Sequence, residues 1–238
     1  MNRIFWAADS TVQYNSFLTY PQTGMGQMLH LFLKPEIQVC NKAINGRSTK
    51  SFMDQGRLAE IEAELSEGDF LFIQFGHNDE KIADPLRYTT PFGTFAENLE
   101  IYVKTALGKK AFPVIITPIE RRVFDEKGVL SEGMHGDYVK SAKQVGEKLS
   151  CPVIDLNAMS REILSMLGPV EAKRLHVVVP AGIYPKFPEG MDDETHLSPE
   201  GAVVYCSCLA KGLQDLGGVY KELLLEGMEL PMRVRSIM

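Results

Sequence analysis

An α/β fold, a parallel sheet with helices on both faces, is predicted by two features of the 238-residue sequence. Apolar runs of strand length alternate with stretches of helical periodicity along the chain, which is the order a parallel sheet requires. One run, DFLFIQFG at 69–76, is apolar almost without a break, as a strand buried on both faces should be.

The elements follow in order. IFWAA at 4–8 is a core strand that stops on Asp9, Ser10 and Thr11, and GMGQMLHLFL at 24–33 reads as helix. EIQVCNKA at 36–43 is strand-like, and SFMDQGRLAEIEAELS at 51–66 carries Phe52, Leu58, Ile61 and Leu65 at near-helical intervals. After the strand at 69–76 come a helix at 94–107, the strand FPVIITPI at 112–119 and a helix at 135–150. A fifth strand, PVIDLN at 152–157, precedes a helix at 158–167. A polar loop at 180–198 then leads into a helix that starts near Pro199.

The length fits one α/β domain spanning 1–238, with a core to about 217 and an extension over about 218–238. A net charge of -6 with acids and bases interspersed argues against nucleic acid as a partner. No stretch approaches the roughly 18 apolar residues of a membrane span. The apolar start meets Asp9 at once, whereas an export signal needs roughly 7 to 15 apolar residues, so a cytoplasmic setting is expected. Cys40, Cys151, Cys206 and Cys208 are scattered, which suits reduced thiols, and no C-x-x-C or H-x-x-H spacing suggests a metal. The sequence leaves a homo-oligomer open.

In a parallel sheet the ligand site lies at the carboxyl ends of the strands, so the segments following each strand converge on one rim. Those segments are Asp9-Ser10, NKAINGRSTKSF, GHNDE and TPIERRVF, joined by the late loop with Asp193 and His196. Serine acyl transfer needs a hydroxyl, a base, a carboxylate that orients the base, and donors for the oxyanion. Ser10 supplies the hydroxyl and His196 the base, and Asp193, three residues earlier, can accept the imidazole N–H. The donors are the backbone N–H groups of Ser10 and Gly46 and the side-chain amide of Asn78. Taken singly, each of these residues reads better as a cap or a turn residue; taken together at one rim, they favour catalysis. The α/β-hydrolase elbow G-x-S-x-G does not occur. Asp9 and His77 are expected beside the substrate. Arg121 and Arg122 follow the fourth strand, where a guanidinium could hold a uronate carboxylate or pair with a nearby acid. His30, His135 and His176 read as ordinary surface or packing residues.

The blocks Asp9-Ser10, Gly46, Gly76-His77-Asn78-Asp79 and Asp193-Glu194-Thr195-His196 resemble those of the SGNH, or GDSL-type, hydrolases. Within that family, DST, INGRSTKSF, FIQFGHNDE, TPIERRVF and DETHLSPEGA are similar to the rhamnogalacturonan acetylesterase branch. The resemblance implies a three-layer α/β/α, flavodoxin-like fold on a five-stranded parallel sheet. It also implies removal of O-acetyl groups from carbohydrate, pectic oligosaccharides above all, through a serine acyl-enzyme with no cofactor and no metal. Ala8 departs from the pattern, since the family has Gly there. Three other readings stay open: a lipase or thioesterase of the same superfamily, a carbohydrate-binding protein without catalysis, and a metal phosphoesterase using Asp9, His77, Asp79 and His196.

Overall fold

The computed structural model describes residues 2–227, so residues 228–238 of the expected extension lie outside the described residues. In chain order the elements are β1 (Arg3–Ala8), α1 (Met25–Met28), β2 (Gln38–Asn41), α2 (Thr49–Asp54), α3 (Arg57–Glu64) and β3 (Phe70–Gln74). They continue with α4 (Ala96–Gly108), β4 (Phe112–Ile116), α5 (Gly136–Leu149), β5 (Val153–Ile154) and α6 (Leu156–Glu171). The last are β6 (His176–Val179), β7 (Met191–Leu197), α7 (Pro199–Leu216) and α8 (Gly218–Lys221).

Two compact units emerge, each assembled from separate stretches of chain. The first takes in the chain up to Ser10, Lys34–Pro118 and His135–Asp155, and it holds all five strands of a parallel sheet in the order β2-β1-β3-β4-β5. The central strands β1, β3 and β4 are buried because period-2 geometry sends alternate apolar side chains to opposite faces and both faces are apolar. Phe5, Ala7, Leu71, Ile73 and Ile115 point to one face, where Phe52, Leu99, Tyr102, Val103, Tyr138 and Val145 from α2, α4 and α5 cover them. Trp6 and Phe72 meet edge to face on the other, 5.8 Å apart, and both are fully buried. The helix read at 51–66 is two helices, because Gly56 adopts φ +75° between α2 and α3.

The second unit comprises Thr11–Leu33, Ile119–Met134 and the chain from Leu156 onward. Its longest helix, α7, packs on α1 and α6, and the Cys206 thiol donates to the Met25 carbonyl at 3.1 Å. Ser198 caps α7 by accepting the Gly201 N–H at 3.1 Å, with Pro199 in the first turn, so the start read from the sequence holds. The stretch at 180–198 does not remain a loop throughout. Its last part is β7, antiparallel to β6, a strand that the sequence reading passed over.

Ala8 lies inside β1 in register with Gln74, fully buried, and is not among the positive-φ residues. Its extended backbone suits any L residue, so this departure from the family pattern introduces no strain. Ala8→Gly should therefore destabilise the protein by about 1 kcal/mol in chemical denaturation, through lost burial and added chain entropy. Stabilisation by Gly would reveal strain at Ala8.

Candidate active site

In the first unit the segments after β1, β2 and β3 leave adjacent strands in the same direction, which brings Ser10, Gly46 and Asn78 to one end of the sheet. The Ile44 N–H donates to the Ala8 carbonyl at 3.1 Å, tying the turn after β2 to the end of β1. Ser10 follows directly and is 6% exposed. Gly46 has φ +77°, a conformation that leaves its N–H unscreened by a Cβ. Gly76, at φ +147°, is needed for another reason: a Cβ there would stand 2.7 Å from the Pro118 ring.

The block His77-Asn78-Asp79 is held from three sides. Asp79 is fully buried and accepts the Thr49 N–H at 3.0 Å, the Thr49 hydroxyl at 2.5 Å and the Thr89 hydroxyl at 2.9 Å. Its carbonyl accepts the Tyr138 hydroxyl and the Thr89 N–H, each at 3.0 Å. Burial pushes the Asp79 carboxyl up to about 7, and the hydrogen bonds from Thr49 and Thr89 offset only part of that. Asn78 donates from Nδ2 to the Arg47 carbonyl at 3.1 Å and accepts at Oδ1 from Arg87 at 3.2 Å. His77 and Asp9 face each other at 3.2 Å, both buried. This contact joins the turn that carries Ser10 to the one that carries Asn78, so Asp9 and His77, the two residues expected beside the substrate, lie next to each other.

In the second unit Asp193 and His196 lie on β7, where a bulge sets residues 193–196 opposite Val177 alone. The bulge lets the Asp193 carboxylate turn back on its own strand. It accepts the N–H groups of Thr195 and His196, both at 2.7 Å, and Oδ2 lies 2.7 Å from His196 Nδ1. Burial raises the Asp193 carboxyl, but the hydrogen bonds and charge of His196 win and hold it at about 2. An ionised carboxylate can only accept, so Nδ1 carries the proton and Nε2 is left as the basic nitrogen.

Both arginines after β4 clamp this strand. Arg122 is 6% exposed; its N–H donates to the Glu194 carbonyl at 2.8 Å, and its guanidinium pairs with Asp192 and reaches the Asp193 carbonyl at 3.3 Å. Arg121 donates to the Thr195 hydroxyl at 2.5 Å. Of the two uses the sequence left open for these guanidinium groups, Arg122 makes the ion pair with a nearby acid, Asp192, and Arg121 makes a hydrogen bond to Thr195.

Comparison with known proteins follows from this geometry. No family model matches the chain. Over 95% of its length it is 38% identical to the rhamnogalacturonan acetylesterase RhgT of Bacillus subtilis (strain 168), of which it covers 97%. The chain belongs to the rhamnogalacturonan acetylesterase family. It is a carboxylic ester hydrolase of the carbohydrate acetylesterase class. A probable rhamnogalacturonan acetylesterase, YesY, of the same organism is 35% identical over 91% of the chain, with 94% of YesY covered. Among solved structures, YxiM from Bacillus subtilis superposes with a TM-score of 0.75 at 26% identity, over 91% of this chain and 57% of that one. The acetylxylan esterase Axe2 from Geobacillus stearothermophilus gives 0.60 at 16% identity, over 92% and 95%, a likeness of fold.

Sequence reasoning missed several supports of these acetylesterase blocks. His135, read as an ordinary surface or packing residue, packs: it is buried, its ring lies 4.5 Å from that of His77, and Nδ1 is 2.9 Å from Glu80. His176 does pack as read, buried with Nδ1 at 3.2 Å from the Ala172 carbonyl, and burial lowers it to about 4. His30 is exposed. Arg87 escaped notice, although the turn signal Asp84-Pro85 three residues before it marks an ordered loop. Among the described residues no helix is long and apolar enough to cross a membrane.

The Asp79 carboxyl makes stability depend on pH. Its folded value of about 7 lies above the roughly 3.9 of an unfolded Asp, so its contribution is fully present below the unfolded value and is lost as pH rises through 7. Thermal unfolding followed from pH 4 to 8 should show a decline in the wild type that Asp79→Asn flattens. Parallel curves would mean that Asp79 is ionised across that range.

Proposed function

We propose that the protein is a serine acetylesterase that deacetylates rhamnogalacturonan or related pectic oligosaccharides through an acyl-enzyme. The observation that carries this reading is the Asp193–His196 pair, a base of fixed tautomer on a block that the family reading assigns to catalysis. The substrate comes from the two relatives named for rhamnogalacturonan, which align with nearly the whole chain and support treating it as one catalytic domain. Four free cysteines, three of them buried, support a cytoplasmic setting.

In the proposed reaction Ser10 Oγ attacks the acetyl carbonyl carbon while His196 Nε2 takes the hydroxyl proton. The carbonyl oxygen becomes an oxyanion, received by the N–H groups of Ser10 and Gly46 and by Asn78 Nδ2. Collapse breaks the bond to the sugar oxygen, which leaves with the proton from the imidazolium. Water, deprotonated by the same nitrogen, then attacks acetyl-Ser10; acetate departs and the serine regains its proton. Asp193 stays ionised throughout, holding the imidazole and stabilising its cationic form. Asp9 and His77 support the turn of Ser10, and Arg121 and Arg122 hold the strand of His196.

Ser10→Ala should lower kcat by at least about 10³-fold with the fold intact, because triad members act as a unit. Near-normal turnover would return Ser10 to a capping role. Acetate released by the wild type from acetylated rhamnogalacturonan oligosaccharides should exceed that from acetylated xylo-oligosaccharides by about tenfold or more in kcat/KM, a difference of about 1.4 kcal/mol in transition-state binding. Equal rates would refute the pectic assignment and leave the acetylesterase one standing.

A further inference from the structure

The amide of Asn78 has a single orientation that its neighbours permit. A backbone carbonyl can only accept and a guanidinium can only donate, so Arg47 O fixes Nδ2 and Arg87 Nη1 fixes Oδ1. One Nδ2 hydrogen is thereby occupied and the other is aimed away from Arg47. Arg47 O already selects the face that carries Nδ2, and Arg87 adds a second lock at Oδ1 together with a positive charge on that oxygen.

Arg87 is itself fixed. Its Nε donates to Asp84 Oδ2 at 2.5 Å, while Asp84 Oδ1 accepts the Leu86 N–H at 3.1 Å. The backbone N–H groups of Arg87 and Tyr88 both donate to the Asp84 carbonyl, at 3.0 and 2.7 Å. Two residues further on, Thr89 is bonded to Asp79, next in sequence to Asn78. The hydrogen bond from Arg87 holds the Asp84 carboxyl below its ordinary range, which suits a permanent ion pair. The same Nη1 lies 3.7 Å from the point where a Cβ on Gly46 would stand, so the cation borders two of the three oxyanion donors.

We propose that Arg87 is a positioning residue of the reaction: it orients and polarises the Asn78 amide so that Nδ2 donates to the oxyanion. This rests on the acyl-transfer reading above. A cation on the amide oxygen draws electron density from the N–H and strengthens it as a donor, an effect that grows in a water-poor site. The gain appears only when negative charge develops, so it belongs to kcat and not to KM.

The test is a double-mutant cycle on a neutral aryl acetate, a substrate without sugar or carboxylate, with folding checked by circular dichroism and thermal unfolding. Asn78→Ala should lower kcat about 10²–10³-fold, the usual loss for one oxyanion donor. Arg87→Ala should lower kcat about tenfold or more with KM within about twofold, and in the Asn78→Ala background should cost less than about twofold further. Arg87→Lys should recover part of the loss, since it restores a charge and a donor without the fork. If the alanine variant does not fold, Arg87→Gln carries the same comparison. An unchanged kcat in Arg87→Ala, a loss confined to KM, or an equal loss in both backgrounds would overturn the proposal while leaving the oxyanion role of Asn78 intact. Full activity in Asn78→Ala would instead overturn the oxyanion reading and the proposal with it.

Discussion

Asp79, a carboxyl with no contact with water, fixes the geometry on which the side of the candidate site that carries Asn78 depends. It gathers the N–H and hydroxyl of Thr49 at the start of α2 and the hydroxyl of Thr89 beyond the turn that carries Arg87. Its backbone carbonyl adds Tyr138 from α5. Burying an ionisable group costs free energy unless its hydrogen bonds are satisfied, and this one has three donors on its oxygens. The arrangement trades stability at neutral pH for a rigid platform under Asn78, a trade that active sites commonly show.

Beyond that anchor, the parallel sheet orders the rest. Adjacent strands β2, β1 and β3 deliver a positive-φ glycine, a serine and an asparagine from three loops that sequence distance would otherwise separate. The second unit solves a different problem, the alignment of an imidazole. A regular strand would point Asp193 and His196 to opposite faces, and the bulge in β7 removes that conflict. Asp192, paired with Lys173 and Arg122, and Thr195, bonded to Arg121, pin the bulged segment before Asp193 and between Asp193 and His196.

What the sequence disclosed follows the strength of each physical signal. FLFIQ and FPVII are apolar at every position but Gln74, and their strands were read directly because burial on both faces leaves no ambiguity. MDDETHL carries almost no apolar signal, so its pairing with His176–Val179 was invisible and the segment read as loop. The break at Gly56 lay inside an otherwise continuous helical pattern, where a lone glycine is a weak stop. The residue types of the site were legible as blocks, since acyl transfer needs few side chains of fixed kind. Their supports were less so: whether Arg122 meets a substrate acid or Asp192 depends on which acid the fold brings within reach, and no local pattern encodes that.

The central claim is that Ser10 forms the covalent bond to the acyl group, and a serine-directed phosphonate tests it most directly. Intact-mass measurement followed by peptide mapping should find one adduct per chain, on Ser10, at a rate that falls steeply in His196→Ala while the fold is retained. An adduct on another residue, or inactivation that proceeds with Ser10 unmodified, would contradict the account.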